Sequence, residues 1–318
     1  MKPVAGPVRL IPMEAFASLQ GAANRAELLS AGFADHEIRA AVRSGVLNVL
    51  AAGVVIPAEL LDGTPEQQHR ELSLAWARRS ATPGRALAGT SAASVLGLPA
   101  WGLDTSRVVV AEFGTRSRSR STGVMRVVSG RRPASTVVGG GAEVLSPARV
   151  VVDIARHAPR IPAIAVGDAA LHAGLCSTAE LANELDLITG MAGAARARRV
   201  IGELDGAAES VLESRSRIEI LDAGLPAPEL QVDLYDAWGN WVARVDFYWR
   251  LHRVVGESDG KSKYSGSEGN DRLLHEKGRT DGLVELGNRV IHWGWSEVDQ
   301  RARLIARLTT MLSASDAA

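Results

Sequence analysis

The sequence predicts an α+β multidomain chain of three parts, and three observations predict it. At about 150 residues per domain, 318 residues are too many for one core. Residues 25 to 60 alternate helical and β-branched patterns in the order helix, turn, helix, hairpin, which is a winged-helix order. Near residue 205 the composition shifts: five of the seven tryptophans (Trp238, Trp241, Trp249, Trp293, Trp295) and all three tyrosines lie beyond it. The expected parts are therefore a winged-helix-like domain at 1–62, a mixed α/β middle region at 63–205, and a C-terminal domain of alternating strands and helices at 206–318.

In the first part, Ala26 to Leu29 leads into Gly32, a helix stop. Ala34-Asp35 then opens a helix over His36 to Ser44 with Ile38, Ala41 and Val42 at helical spacing, and Gly45 closes it. Val46 to Leu50 and Val54 to Ile56, joined by Ala51-Ala52-Gly53, read as a hairpin or wing. The middle region opens with a helix from Pro65 to Arg79. A shorter helix capped by Thr90 or Ser91 follows, then strands at Val108 to Val110 and Met125 to Val128. Ser146-Pro147 starts another helix, and Ala163 to Ala173, Thr178 to Leu187 and Ala194 to Ile201 each carry helical spacing.

Composition sets outer bounds. At 46% hydrophobic and 23% charged residues the chain is in the globular range, which excludes disorder. The 36 Lys+Arg balance 36 Asp+Glu, so only local patches speak for or against a nucleic-acid partner. A single cysteine, Cys176, excludes an internal disulfide framework and a multi-cysteine zinc site, and fits a small buried side chain in a reducing compartment. The longest apolar stretch, Val46 to Ala58, contains Asn48 and Pro57 and is well short of the roughly 20 residues that span a bilayer. Arg9 and Glu14 interrupt what would be a signal peptide's apolar core. We expect a cytoplasmic protein without a membrane partner.

Chemistry concentrates in the last part. Trp241 to Trp249 and Arg253 to Asp259 read as the two strands of a hairpin, and a turn centred between Leu251 and His252 places Asp246 opposite Glu257. Opposed residues share a side with Cβ atoms about 4.5–5.5 Å apart, and like charges so placed repel. The pair therefore needs a metal, a basic neighbour or a raised pKa. Mg²⁺ or Mn²⁺ suits one or two carboxylates plus waters and phosphate oxygens, and Asp259, two residues after Glu257, extends the candidate ligand set to Asp246, Glu257 and Asp259. Lys261 and Lys263 lie just beyond, where an ammonium can orient a water or neutralise developing charge. The plainer alternatives are a solvated strand face whose acids pair with Arg244 or Arg253, loop lysines, and Glu213 paired with Arg217 at i+4 on a helix.

Elsewhere, Arg107 to Gly140 holds seven arginines against one acid, Glu112. The alternating Arg116, Arg118 and Arg120 fit either phosphate contacts or a solvated loop. The helix at His36 to Ser44 sets Arg39 and Arg43 against Asp35 and Glu37, a poor electrostatic match to DNA.

Two resemblances add to this reading. Glu213, Val245-Asp246-Phe247, Val254 to Tyr264, His275 to Leu283 and Val290 to Trp295 together resemble the Vsr-like branch of PD-(D/E)XK nucleases over roughly 208 to 310. That resemblance implies a restriction-endonuclease-like α/β domain with a four-stranded mixed sheet. Asp246 and Glu257 would be Mg²⁺ ligands, Glu213 a supporting acid, Lys261 the assisting lysine, and Lys263 and Arg279 phosphate contacts. Asp259 stands where the family's lysine does, and Gly278 and His292 replace residues that are often basic in relatives. Residues Asn24 to Pro57, Thr90 to Trp101 and Ser146 to Ala155 resemble the N-terminal part of actinobacterial AbiEi-type antitoxins. The expected function is Mg²⁺-dependent hydrolysis of DNA. The alternative is a non-catalytic DNA-binding antitoxin or transcriptional regulator of a type IV toxin–antitoxin system, built on an inactive nuclease fold, with a toxin or defence-system partner. A third reading is DNA binding in which the carboxylates only structure the hairpin.

Overall fold

A computed structural model describes residues 16, 19, 21–60, 63–79, 84–113, 119–122, 125–130, 136–139, 141–259 and 278–313. The chain is mixed α+β with three sheets among the described residues, and it divides into two compact units, 1–158 with 179–197 and 159–178 with 198–318.

In the first unit, strand β1 (Ala23–Asn24) leads into helix α1 (Arg25–Ser30) and helix α2 (Asp35–Arg43). The entry to α1 is a capping box. Asn24 Oδ1 accepts from the amides of Ala26 (3.0 Å) and Glu27 (3.1 Å), while Glu27 Oε2 accepts from the Asn24 amide at 2.8 Å. Such a cap contributes about 1 kcal/mol. Strands β2 (Leu47–Ala51) and β3 (Val54–Pro57) form the expected antiparallel hairpin, and β1 pairs on the far side of β3. Phe16, Leu28, Ile38, Leu47 and Val55 fill the space between helices and sheet.

Helix α3 (Pro65–Arg79) lies against this sheet and a second one of six strands, ordered β6-β7-β5-β4-β9-β8. These are β4 (Arg85–Leu87), β5 (Val108–Phe113), β6 (Arg120–Ser121), β7 (Met125–Gly130), β8 (Thr136–Gly139) and β9 (Ala142–Leu145). Helix α4 (Gly89–Val95) covers β5. The expected cap at Thr90 or Ser91 is corrected: the N-cap is Ala88, which offers no side-chain bond. Ser91 is fully buried instead, its Oγ taking the Val109 amide at 2.9 Å and lying 3.0 Å from His69 Nε2. Helix α5 (Pro147–His157) follows Ser146, whose hydroxyl makes no capping bond although it occupies the cap position.

His69 carries a measurable consequence. Only 3% exposed, its imidazole has a pKa pulled below the ordinary value by burial, with the Thr105 backbone and Asp104 partly offsetting this. A folded-state pKa below the unfolded value near 6.5 means that the unfolded chain binds the extra proton first. The stability His69 confers is therefore complete above that value and drains as pH falls toward the folded pKa. Burial depresses His157 in the same direction. We expect the urea midpoint to fall between pH 7.5 and 5, and His69→Gln to flatten that dependence; an unchanged slope in the variant would remove His69 from the account.

The second unit begins with helix α6 (Arg160–His172). Helix α7 (Thr178–Leu187), which from residue 179 belongs to the first unit, and helix α8 (Ala194–Ile201), divided between the units after residue 197, follow in the chain; then comes helix α9 (Val211–Asp222), which packs against α6. The remaining sheet is ordered β10-β11-β12-β13, from β10 (Glu229–Tyr235), β11 (Trp241–Trp249), β12 (Val254–Ser258) and β13 (Arg289–Trp293). β10, β11 and β12 are antiparallel neighbours and β13 runs parallel to β12. A mixed four-stranded sheet is thus present. Helices α10 (Trp295–Asp299) and α11 (Arg301–Ser313) cover it with α9 through a cluster of Leu212, Ile220, Phe247, Trp249, Trp293 and Leu308. A second cluster joins Val245, Tyr248 and Val255 to Leu283, in a helical segment described over 278–285.

Candidate carboxylate site

Strand β11 carries Asp246 because its neighbours Val245, Phe247 and Tyr248 are apolar and buried, which fixes the strand and leaves Asp246 at the level where β12 ends. The β11–β12 ladder pairs Phe247 with Gly256, Tyr248 with Val255 and Trp249 with Val254. This is the expected register. Arg250–His252 form one 3-10 turn, and Arg253 closes it in the left-handed region at φ 45°.

Around Asp246 the side chains converge. Its Oδ2 accepts from the Ser258 amide at 2.8 Å and the Ser258 hydroxyl at 2.9 Å, and its Oδ1 accepts from Gln231 Nε2 at 3.3 Å. The same Gln231 nitrogen donates to Glu213 Oε2 at 2.8 Å, so one amide bridges the two carboxylates. Gln231 sits at φ 53°, a left-handed conformation that costs a non-glycine residue about 1 kcal/mol or more. Its ladder neighbours, Leu230 on Phe247 and Val232 on Val245, hold it there.

Glu213 is 5% exposed, in the first turn of α9, and also accepts from the Glu209 amide at 2.9 Å. Burial raises its pKa, hydrogen bonds from Glu209, Gln231 and Ser210 oppose this, and the Asp246 charge adds to the rise. A carboxyl so placed is poised to hold or give up a proton. The expected Glu213–Arg217 pair is corrected: Arg217 reaches back to Asp168 of α6 at 2.9 Å.

Glu257, also 5% exposed, accepts from Arg279 Nη2 at 2.5 Å, and Arg279 donates to the Arg244 carbonyl at 3.1 Å as well. Arg279, the residue expected to touch phosphate, is thus engaged by Glu257. Arg244 pairs with Glu209 at 2.7 Å. Asp259 is more exposed; its carboxylate lies 3.3 Å from His292 Nδ1. Lys261, Lys263, Arg116 and Arg118 lie outside the described residues, and of Arg120 only the backbone, in β6, is described. Sequence reasoning missed Gln231 and Ser258. Nothing in a glutamine announces positive φ, and strand alternation sets Ser258 opposite in facing to Glu257.

Among the described residues no group of three or more His, Cys, Asp or Glu side chains is placed to share a metal ion. Two carboxylates are enough for Mg²⁺, which keeps most of its waters. Of the two expected ligands, Glu257 is bonded to the Arg279 guanidinium and Asp246 to Ser258 and Gln231.

The chain is 33% identical over 231 residues to the Mycobacterium tuberculosis uncharacterized protein Rv2248 of strain H37Rv, and equally to uncharacterized protein MT2308 of strain CDC 1551; the alignment covers 70% of this chain and 82% of either relative. It belongs to their family. Residues 85–203 match the AbiEi antitoxin C-terminal domain. That match takes in the Thr90 to Trp101 and Ser146 to Ala155 segments and corrects the expected placement, since they fall in the antitoxin's C-terminal domain and not its N-terminal part. No helix among the described residues is long and apolar enough to cross a membrane.

Proposed function

We propose that the protein is a DNA-binding regulator of the antitoxin type, acting beside a toxin or defence-system partner. The observation that carries this is the match of residues 85–203 to the AbiEi antitoxin C-terminal domain. The first 60 residues supply a reader. We take α1, α2 and the β2–β3 hairpin as a winged helix, with α2 as the helix presented to a DNA groove. The acids that would spoil that helix are engaged at its start: Asp35 pairs with Arg25, and the Glu37 carboxylate accepts from the Ala34 amide at 2.6 Å. His36, Arg39, Ala40 and Arg43 remain exposed at helical spacing on one basic face.

The test is fluorescence anisotropy with duplex DNA from upstream of the coding sequence, at several salt concentrations. Wild type should bind with a steep salt slope, and Arg39→Ala with Arg43→Ala should flatten the slope by about two, one for each phosphate no longer neutralised. Absence of salt-sensitive binding in the wild type would sink the reading.

A second reading, a Vsr-like restriction-endonuclease-like domain hydrolysing phosphodiester bonds, is favoured by the Glu213–Gln231–Asp246 bridge beside Glu257. Asp246 and Glu257 would hold Mg²⁺ or Mn²⁺, with Asp259 next in line; the ion supplies an activated water and charge for the phosphoryl oxygens. Glu213 would hold a proton in the acidic pocket and Lys261 would steady the developing charge, while Lys263 and Arg279 would grip flanking phosphates. Calorimetric titration of Mg²⁺ and Mn²⁺, with plasmid nicking on the same samples, decides it. Binding and nicking that vanish in Asp246→Ala and Glu257→Ala support hydrolysis, and DNA binding without either leaves the regulator alone.

A further inference from the structure

Strands β5, β7 and β6 bring Val109, Arg126 and Ser121 side by side, since Arg126 pairs with Val109 across one ladder and with Ser121 across the other. Partners in register share a face of the sheet. Together with Thr90 of α4, Asp104 and Arg107, these residues line a cavity of about 310 Å³, at the small end of the range for ligand pockets. The wall behind it is built: Ser91, next to Thr90, holds the Val109 amide and contacts buried His69, and Asp104 acts electrostatically on the same imidazole.

The charge in this pocket is specific. Neither Arg107 nor Arg126 makes a salt bridge within 4 Å among the described residues, and both residues are exposed. Asp104 is fixed by the Ser106 hydroxyl and amide, the amide bond being 2.9 Å, and these, with the Arg107 and Arg126 charges, hold its carboxyl below the ordinary range. Two guanidinium groups against one carboxylate leave one positive charge, flanked by two hydroxyls that can donate. A phosphate monoester carries about −1.5 to −2 charges at neutral pH, more than the pocket balances. A phosphodiester carries one.

We propose that this cavity is a phosphodiester-binding site, in which Arg107 and Arg126 grip one backbone phosphate of DNA while the Thr90 and Ser121 hydroxyls donate to its free oxygens. The proposal rests on the DNA-binding reading and places a second point of attachment outside the α2 face, within the segment that matches the antitoxin domain. A concave site with paired guanidinium groups fixes register on the duplex and carries no sequence information itself.

The experiment is anisotropy with the same upstream duplex and an unrelated duplex of equal length, on full-length wild type, Arg107→Ala, Arg126→Ala, and the Arg39→Ala/Arg43→Ala variant, with inorganic phosphate and a nucleoside monophosphate as competitors. Each pocket variant should weaken both duplexes equally, by about three- to tenfold, and lower the salt slope by about one. Circular dichroism should show all variants folded. Neither competitor should displace DNA at concentrations matched for ionic strength. Pocket variants that bind like wild type, while the α2 variant weakens, would overturn the pocket and leave the DNA reading standing. Wild type that binds no DNA would overturn both. Displacement by the monophosphate alone would assign the cavity to a small phosphorylated ligand and overturn the diester.

Discussion

Arg217→Met should destabilise the protein by about 3–5 kcal/mol, the usual result of removing one partner of a buried ion pair. Asp168 is fully buried in the middle of α6, where its Oδ2 accepts from Arg217 Nη2 at 2.9 Å and its Oδ1 from the Asp205 amide at 2.7 Å. Burial pushes the Asp168 carboxyl up, and the guanidinium is the strongest force holding it down. Without Arg217 the folded-state pKa rises further above the unfolded value. A carboxyl so shifted is tolerated at low pH, when it is protonated, and becomes costly as pH rises through the unfolded pKa near 3.9. The deficit should therefore be largest at neutral pH and shrink toward pH 4. Urea midpoints for wild type and variant across pH 4 to 8 measure both parts. The double variant Asp168→Leu/Arg217→Met should recover much of the loss, because it buries no lone charge. A single-variant deficit below about 1 kcal/mol would show that water reaches the pair.

Trp293→Ala should cost about 3–5 kcal/mol, the range for emptying a buried aromatic site. The Trp293 side chain is 2% exposed, its ring centroid is 5.0 Å from that of Phe247, and its Nε1 donates to Ser216 Oγ at 2.8 Å. It lies over Gly256, where a Cβ would meet Trp293 Cη2 at 2.5 Å. The indole thus needs glycine on β12 and a hydroxyl on α9, and it ties β13 to the helix that carries Glu213. Trp293→Phe should retain most of the packing yet lose the bond to buried Ser216, at about 1–3 kcal/mol. Chemical denaturation followed by near-ultraviolet circular dichroism separates the two variants; a Trp293→Phe protein as stable as wild type would mean that the hydrogen bond contributes nothing.

These two sites show what the sequence could and could not reveal. The β11–β12 register was legible because the turn and the β-branched runs are local, and a ladder's register follows from its turn. Helices α3, α7 and α8 were legible through caps and apolar spacing. Asp168 was invisible: a lone acid in an apolar helix does not name its partner. Arg217 was read toward Glu213 by i+4 spacing, yet its guanidinium goes to the fully buried Asp168 on another helix, while the Glu213 carboxylate takes the Glu209 amide and Gln231. Strand β4 escaped for a related reason, having only three residues and pairs that come from far along the chain, antiparallel to β5 and parallel to β9. At the carboxylate site the sequence supplied Asp246, Glu257 and Glu213. It could not supply Gln231, whose role depends on a backbone angle that its residue type disfavours.

Both compact units are assembled from two separate stretches of chain, and this orders events on the ribosome. The first unit awaits residues 179–197, emitted only after 159–178, which belong to the other unit. At about 5–20 residues per second, the 39 residues after position 158 take roughly 2–8 s to emerge. Throughout that interval a nearly complete unit waits for its last segment, while the opening helix of the next has no α9 to bury against. Slow codons or a chaperone acting in this window would change the yield of native protein without altering any interaction in the finished fold.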